Sequence, residues 1–223
     1  MRRSLLLVVI LALSLTLPAA AAERRVGIIS GFNMSELNIE GRGGEIRTSF
    51  AAGAVADFPM SEKFGIRVEP MFTSKGGKGT ARNAYFGTVD GFTFQLDCID
   101  IPVLARYSLG DADSRGYLLG GFGLAYFTEQ KVDLSQGTNQ ETVQLDDVFG
   151  STDLSLDLGI GIEFPAGPNR VTIDTRVGFG LININNGGTV DFNGAPLAVP
   201  STATNTFDIR ILASLLFPWP SKK

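Results

Sequence analysis

A strict alternation of apolar and polar residues along one stretch of the chain leaves little choice of local structure. Between residues 153 and 164, every even-numbered position is Leu, Ile or Phe, and every odd-numbered position is Asp, Ser, Gly or Glu. A period of two sends successive side chains to opposite faces of a β-strand, whereas a helix needs a period near 3.6. The stretch therefore predicts a strand with one apolar and one polar face.

The same alternation recurs along the chain, and no window after Glu23 sustains a helical period. Glycine and alanine dilute the pattern in the first, second and fifth segments, but it is clear in the others. We therefore expect eight strands, at about residues 24–35, 46–58, 64–75, 92–108, 116–129, 153–165, 170–183 and 206–217.

The links between these strands are alternately long and short. Short, turn-forming links occupy residues 59–63, 110–115 and 166–169, and longer polar links occupy 36–45, 76–91, 129–152 and 184–205. Short periplasmic turns, long extracellular loops and an even strand count are typical of outer-membrane barrels. We predict an all-β fold: an eight-stranded antiparallel up-and-down transmembrane β-barrel over residues 23–217, followed by a short periplasmic tail at 218–223.

Alternation alone does not say which face points inward, but the placement of small and aromatic residues favours a membrane barrel. Glycines lie on the polar face, as a narrow interior requires, at Gly159, Gly161, Gly178 and Gly180. Aromatic residues gather near the short-turn ends, which suggests an interfacial girdle made of Phe58, Phe64, Tyr107, Tyr117, Phe164 and Phe217.

The charged residues on the polar faces nearly balance, which suits an enclosed interior because buried charges need partners. We predict a charge network in the lumen composed of Arg67, Glu69, Asp100, Arg106, Asp157, Glu163, Asp174, Arg176, Asp208 and Arg210. Lys75 and Arg170 lie on the same faces. Eight strands enclose a space that side chains can fill, so the expected interior is plugged rather than conducting.

Two prolines, Pro70 and Pro102, fall inside predicted strands, where a missing N–H normally restricts proline to edges and bulges. Both lie about midway along adjacent strands. We therefore expect them at neighbouring positions, at a shared bulge or a site without a ladder hydrogen bond.

Several short motifs resemble those of the small outer-membrane β-barrel domain proteins often called the porin family. They are Gly31-Phe32-Asn33, Glu69-Pro70-Met71-Phe72, the segment from Asp100-Ile101-Pro102 to Arg106-Tyr107, and residues 159–164. The resemblance spans most of residues 24–217 and implies an eight-stranded barrel without an assigned activity. Such barrels usually finish on an aromatic residue, whereas this chain continues beyond Phe217 to Lys223.

The N-terminal residues 1–22 have the pattern of a cleaved signal peptide. Two arginines precede an apolar run from Leu5 to Leu17. Ala20 and Ala22 occupy the −3 and −1 positions that a signal peptidase recognises. The run of 13 residues is shorter than the roughly 20 that span a bilayer as a helix. We expect export and location in the outer membrane.

Composition excludes several kinds of active site. The chain has no histidine and a single cysteine, Cys98. Histidine-dependent nucleophilic catalysis, most zinc sites and an internal disulfide are therefore excluded. We expect no enzyme activity, no cofactor and no metal. Because Asp, Glu, Arg and Lys alone make the interior, its charge pattern should hold across the physiological pH range.

The leading expectation is a non-enzymatic outer-membrane protein whose long loops serve structural, adhesive or partner-binding roles. Expected partners are outer-membrane lipid and an extracellular or envelope protein; the barrel is expected to be a monomer and not to bind nucleic acid, given its acidic net charge. Three alternatives stay open: a narrow pore or small-solute binder that uses the charged lumen, a soluble periplasmic β-barrel that binds an apolar ligand, and a lipid-modifying barrel enzyme. The last is the weakest, because comparable barrel enzymes use histidine at the active site and this chain has none.

Overall fold

The computed structural model of the protein describes residues 23–39, 44–80, 90–110, 113–145, 148–192, 194–199 and 201–219. The predicted signal peptide and residues 220–223 lie outside these ranges. The described strands are β1 (Arg25–Ile39), β2 (Arg47–Pro59), β3 (Phe64–Val68), β4 (Met71–Thr80), β5 (Gly91–Leu109), β6 (Arg115–Gln136), β7 (Asn139–Gln144), β8 (Thr152–Ala166), β9 (Asn169–Gly180), β10 (Gly188–Phe192), β11 (Ala195–Val199) and β12 (Thr204–Pro218).

The strands form a closed ring in chain order, in which β3 and β4 together act as one wall strand. Every neighbouring pair is antiparallel, from β1–β2 through β5–β6, β6–β8, β8–β9 and β9–β12. The ring closes where β1 pairs with β12, from Arg25 opposite Pro218 to Ile39 opposite Thr204. This arrangement confirms the eight-stranded up-and-down barrel.

The wall strand made of β3 and β4 is interrupted at Glu69-Pro70. Val68 pairs with Val103 and Met71 with Asp100, so the register is the same on both sides of the break. Pro70 therefore lies opposite Ile101, one position from Pro102. The prolines are neighbours, as expected, but the site is a break and not a bulge. The carbonyl oxygens of both prolines accept hydrogen bonds, from Ala54 N at 3.0 Å and from Glu69 N at 3.1 Å.

Over the middle of the wall, the apolar side chains point outward and the charged ones inward. Ile28 and Ile160 are 63% and 64% exposed, whereas Arg67 and Glu69 are fully buried. An outward apolar belt around a polar interior is the arrangement of a transmembrane barrel. It contradicts the alternative of a soluble barrel with an apolar ligand site inside this wall.

Five of the six aromatic residues predicted for the girdle lie outside, at the short-turn end: Phe58, Phe64, Tyr107, Phe164 and Phe217. The sixth assignment was wrong, because Tyr117 is buried in the interior. Residues 117–127 of β6 are apolar or small on both faces, so this stretch has no polar face by which to orient the strand.

At the long-loop end, the wall extends further than the alternation predicted. β4, β5 and β6 run to residues 80, 91 and 136, and β7 pairs with β6 where a loop was expected. A register shift at Asp97/Cys98 of β5 leaves Thr128 of β6 unpaired. Inward-facing residues of β6 are odd-numbered up to Phe127 and even-numbered from Gln130. Because of this change, a search for unbroken alternation of apolar and polar residues does not detect the second part of the strand.

The last predicted loop, 184–205, contains a hairpin of β10 and β11, and β9 ends at Gly180 rather than at residue 183. Within the described ranges, no helix has the length and apolar character needed to cross a bilayer.

Candidate functional site

The barrel interior holds the largest concentration of charged side chains, and its most closely linked part is a lower cluster of Asp57, Arg67, Glu69, Asp174 and Arg176. Arg67 donates to both carboxylate oxygens of Asp57, at 2.6 and 2.8 Å. Arg176 donates to Asp174 at 2.6 Å and to both oxygens of Glu69. Arg67 Nη1 also lies 3.5 Å from Asp174. Two guanidinium groups, from β3 and β9, thus bind three carboxylates, from β2, from β9 and from the break after β3.

Tyr117 belongs to this interior, although the sequence did not identify it. Its hydroxyl donates to Asp174 at 2.8 Å. The guanidinium groups of Arg67 and Arg106 lie 5.2 and 4.4 Å from the centre of its ring, within the range of a cation–π contact. The ring also covers Gly161, where a Cβ would overlap it and would lie 2.7 Å from the Cβ of Asp174.

An upper cluster lies further toward the long loops and contains Lys75, Asp100, Asp153, Asp208 and Arg210. Arg210 donates to Asp208 at 2.7 and 3.1 Å and lies 2.7 Å from Asp100. Lys75 binds Asp153 at 2.9 Å, and Thr206 donates to the same carboxylate at 2.6 Å. Lys75 and Asp153, which were not among the ten predicted network residues, therefore form a central ion pair.

Asp157 is also buried beside the upper cluster, but its contacts differ. Its carboxylate is approached by the hydroxyl of Ser155 at 3.4 and 3.5 Å. Glycine makes room for it, since a Cβ on Gly178 would lie 2.8 Å from oxygens of both Asp157 and Asp208. Acids outnumber bases here, with four carboxylates around Lys75 and Arg210.

A third group of charges, which we call the mouth cluster, lies at the short-turn end: Arg106, Arg115, Glu163 and Arg170. Three arginines approach the carboxylate of Glu163: Arg106 at 2.7 Å, Arg115 at 3.3 Å and Arg170 at 3.9 Å.

The ten residues predicted for the lumen network are thus divided among these groups. Four lie in the lower cluster, three in the upper cluster and two at the mouth, and Asp157 stands beside the upper cluster.

Above the ion pairs, at the long-loop end, lies a cluster of buried apolar side chains, which we call the apolar cap. Its buried members include residues of the wall and of the loops: Leu37, Phe92, Phe94, Leu96, Cys98, Phe127, Val132, Leu134, Leu145, Val148, Phe149, Ile184, Val190 and Val199. The ring of Phe149, from a loop, meets that of Phe94, from β5, at 5.5 Å between centroids.

Backbone hydrogen bonds tie the loops of this cap together. Gly150 donates to Ile184 at 2.7 Å, and Asn186 donates to Val148 at 2.8 Å. Cys98 is fully buried in the cap as a free thiol. In the part of the chain that the structure describes, no group of carboxylates or thiols has the arrangement of a metal site.

Comparisons with known proteins agree with this architecture. The family model described as "outer membrane protein beta-barrel domain" matches residues 18–186. No curated protein sequence matches the chain.

Among solved structures, the outer membrane protein OprG from Pseudomonas aeruginosa is 13% identical, with a TM-score of 0.48. The match covers 89% of this chain and 97% of the OprG chain. The attachment invasion locus protein Ail of Yersinia pestis is 14% identical, with a TM-score of 0.44, covering 88% and 100%. The outer membrane protease OmpT from Escherichia coli is 10% identical, with a TM-score of 0.45, covering 88% and 97%.

Proposed function

Because this chain belongs to the outer membrane protein β-barrel domain family and lies in the outer membrane, we propose that it is a closed, non-enzymatic barrel that acts through its outer surface. Its interior holds the fold together, and its extracellular strands and loops contact a partner protein or a neighbouring surface. The barrel acts as a monomer set in lipid.

The observation that carries this proposal is the filling of the interior along its length. The lower cluster, the upper cluster and the apolar cap succeed one another from the short-turn end to the long-loop end, and the largest buried side chains include Arg67, Arg176 and Arg210. Eight-stranded barrels have room for side chains and little else. An ion crossing this interior would have to displace guanidinium groups that are each bound to carboxylates.

The outer surface offers what the interior lacks, namely exposed polar groups beyond the membrane. The outward face of the β6 extension carries Glu129, Lys131 and Asp133, which are exposed or half-buried. The β6–β7 hairpin and the β10–β11 hairpin both lie at this end. Polar side chains on a paired, ordered sheet suit recognition of another protein, because little conformational entropy is lost on binding.

Single-channel recording in a planar lipid bilayer tests the closed interior. We expect the purified, folded protein to insert without producing discrete conductance steps, because the closed interior that we propose leaves no path for water across the ion pairs and the cap. A sixteen-stranded porin recorded in the same membrane serves as the positive control. Reproducible steps that depend on the folded protein would contradict the proposal and would favour the narrow pore.

A further inference from the structure

A pocket of about 310 Å³ opens at the short-turn end of the barrel, where the mouth cluster meets the turn between β2 and β3. The short turns of outer-membrane barrels face the periplasm, so this pocket lies at the level of the inner-leaflet headgroups. It is separated from the apolar cap by both ion-pair clusters, and nothing in the proposed closed barrel requires it.

The charges at this pocket are unequal. Three guanidinium groups, those of Arg106, Arg115 and Arg170, approach the single carboxylate of Glu163 at 2.7, 3.3 and 3.9 Å. One carboxylate balances one of them, which leaves an excess of about two positive charges.

The other acids on the pocket wall do not remove this excess. Asp57 accepts hydrogen bonds from Nε and Nη2 of Arg67, a cation that Asp57 shares with Glu69 and Asp174. Glu23 is held by Arg25 at 2.9 Å. Glu62 and Lys63, which adjoin each other in the turn, contribute one charge of each sign.

The guanidinium groups also retain hydrogen-bonding capacity. Arg106 stacks on the ring of Tyr117, and its buried Nε has no hydrogen-bond acceptor among the described residues. Arg115 and Arg170 keep 29% and 23% of their side-chain surface exposed. Arg170 Nη1 donates to the backbone oxygen of Asp113 at 2.7 Å. Each guanidinium carries five N–H donors, and the Glu163 carboxylate together with this carbonyl cannot accept from all of them.

We propose that the mouth cluster binds a phosphate group. Guanidinium groups bind phosphate through paired, charge-assisted hydrogen bonds, and the positive excess attracts both the singly charged phosphodiester of a lipid and a more highly charged free phosphate. The phosphate belongs either to the headgroup of an inner-leaflet phospholipid or to a small periplasmic solute. In both cases the anion enters from the short-turn side, beside Glu163, and meets Arg115 and Arg170 first.

Two titrations of the full folded chain in dodecyl maltoside, a detergent without phosphate, test the proposal. Calorimetry with inorganic phosphate measures the free anion, and native mass spectrometry with phosphatidylglycerol measures the headgroup. Binding of phosphate identifies a solute site, and retention of the lipid alone identifies a headgroup site. The absence of both would overturn the proposal.

Variants locate the binding. The double substitution Arg115→Gln/Arg170→Gln should weaken binding by about a hundredfold or more, because each of the two lost charge-assisted bonds is worth about tenfold. The extracellular control Lys131→Gln should leave binding unchanged. Glu163→Gln removes the competing carboxylate and should strengthen binding. If Glu163→Gln does not fold, the double substitution still decides the matter, and unchanged binding in that variant would overturn the proposal.

Discussion

Individual buried guanidinium groups of this barrel are each held by two carboxylates from different strands. Arg176 binds Glu69 and Asp174, and Arg210 binds Asp208 and lies beside Asp100. Burial of a charge is tolerated when its partners supply hydrogen bonds as well as opposite charge. Each such arginine therefore joins distant parts of the chain, and removing one takes the nearest cation from two buried carboxylates.

Arg176→Met should destabilise the folded barrel by about 3–5 kcal/mol, because breaking a buried ion pair leaves the remaining buried charges without their nearest partner. Urea titration, followed by the mobility difference of folded and unfolded barrel on a gel, measures the change. Lys131→Met is the matched control: its ion pair with Glu129 is exposed, and its loss should cost less than about 1 kcal/mol. Equal effects of the two substitutions would refute the structural role of the lower cluster.

Gly161 shows how the interior accommodates Tyr117. Gly161→Ala places a methyl group against the tyrosine ring and close to Asp174, and we expect a loss of about 1–3 kcal/mol from overpacking. Gly120→Ala is the control, because its nearest neighbour would be Leu158 Cδ2 at 3.5 Å, an ordinary contact; its effect should stay within about 0.5 kcal/mol. The same urea titration applies, and equal tolerance at both glycines would show that Tyr117 does not pack over Gly161.

At the scale of the strand, β5 changes its outer surface along its length. From Ile99 to Tyr107 its outward side chains are mostly apolar and exposed, whereas Thr93, Gln95 and Asp97 are polar. The membrane belt therefore ends near the register shift at Asp97/Cys98, and the remainder of the strand stands beyond the bilayer.

Two substitutions on the same face of β5 test this boundary. Ile101→Lys should destabilise the barrel in lipid vesicles by about 2–4 kcal/mol, because a charge would meet the hydrocarbon layer. Thr93→Lys, eight residues away along the same face, should change stability little because it meets water. Unfolding by guanidinium in vesicles gives both values. A large cost at Thr93 together with none at Ile101 would place the membrane at the opposite end of the strand.

Strand-scale patterns also explain which parts of this structure could be predicted. The clean alternation of residues 153–164 fixed both the strand and the face of Asp157 and Glu163. Tyr117 could not be assigned, because β6 is apolar on both faces there. The extracellular extension was missed because Thr128 shifts the phase of β6, and the partnership of Lys75 with Asp153 depends on contacts 78 residues apart that no local pattern reveals.

On the scale of the whole molecule, the barrel is organised in layers along its axis. Basic residues surround the periplasmic mouth, buried ion pairs lie in the membrane-spanning interior, and buried apolar side chains cluster at the extracellular end. If the interior is closed, as we propose, no aqueous solute reaches the centre of the barrel.

The most direct test of this closed interior uses the single native cysteine. Cys98 is fully buried within the apolar cap. Folded protein in lipid vesicles is treated with a small cationic methanethiosulfonate and weighed by mass spectrometry. We expect no label on Cys98 until the barrel is unfolded, while Thr138→Cys, in the exposed turn after β6, acquires one label at once. Labelling of Cys98 in the folded protein at the rate of that control would contradict a closed interior.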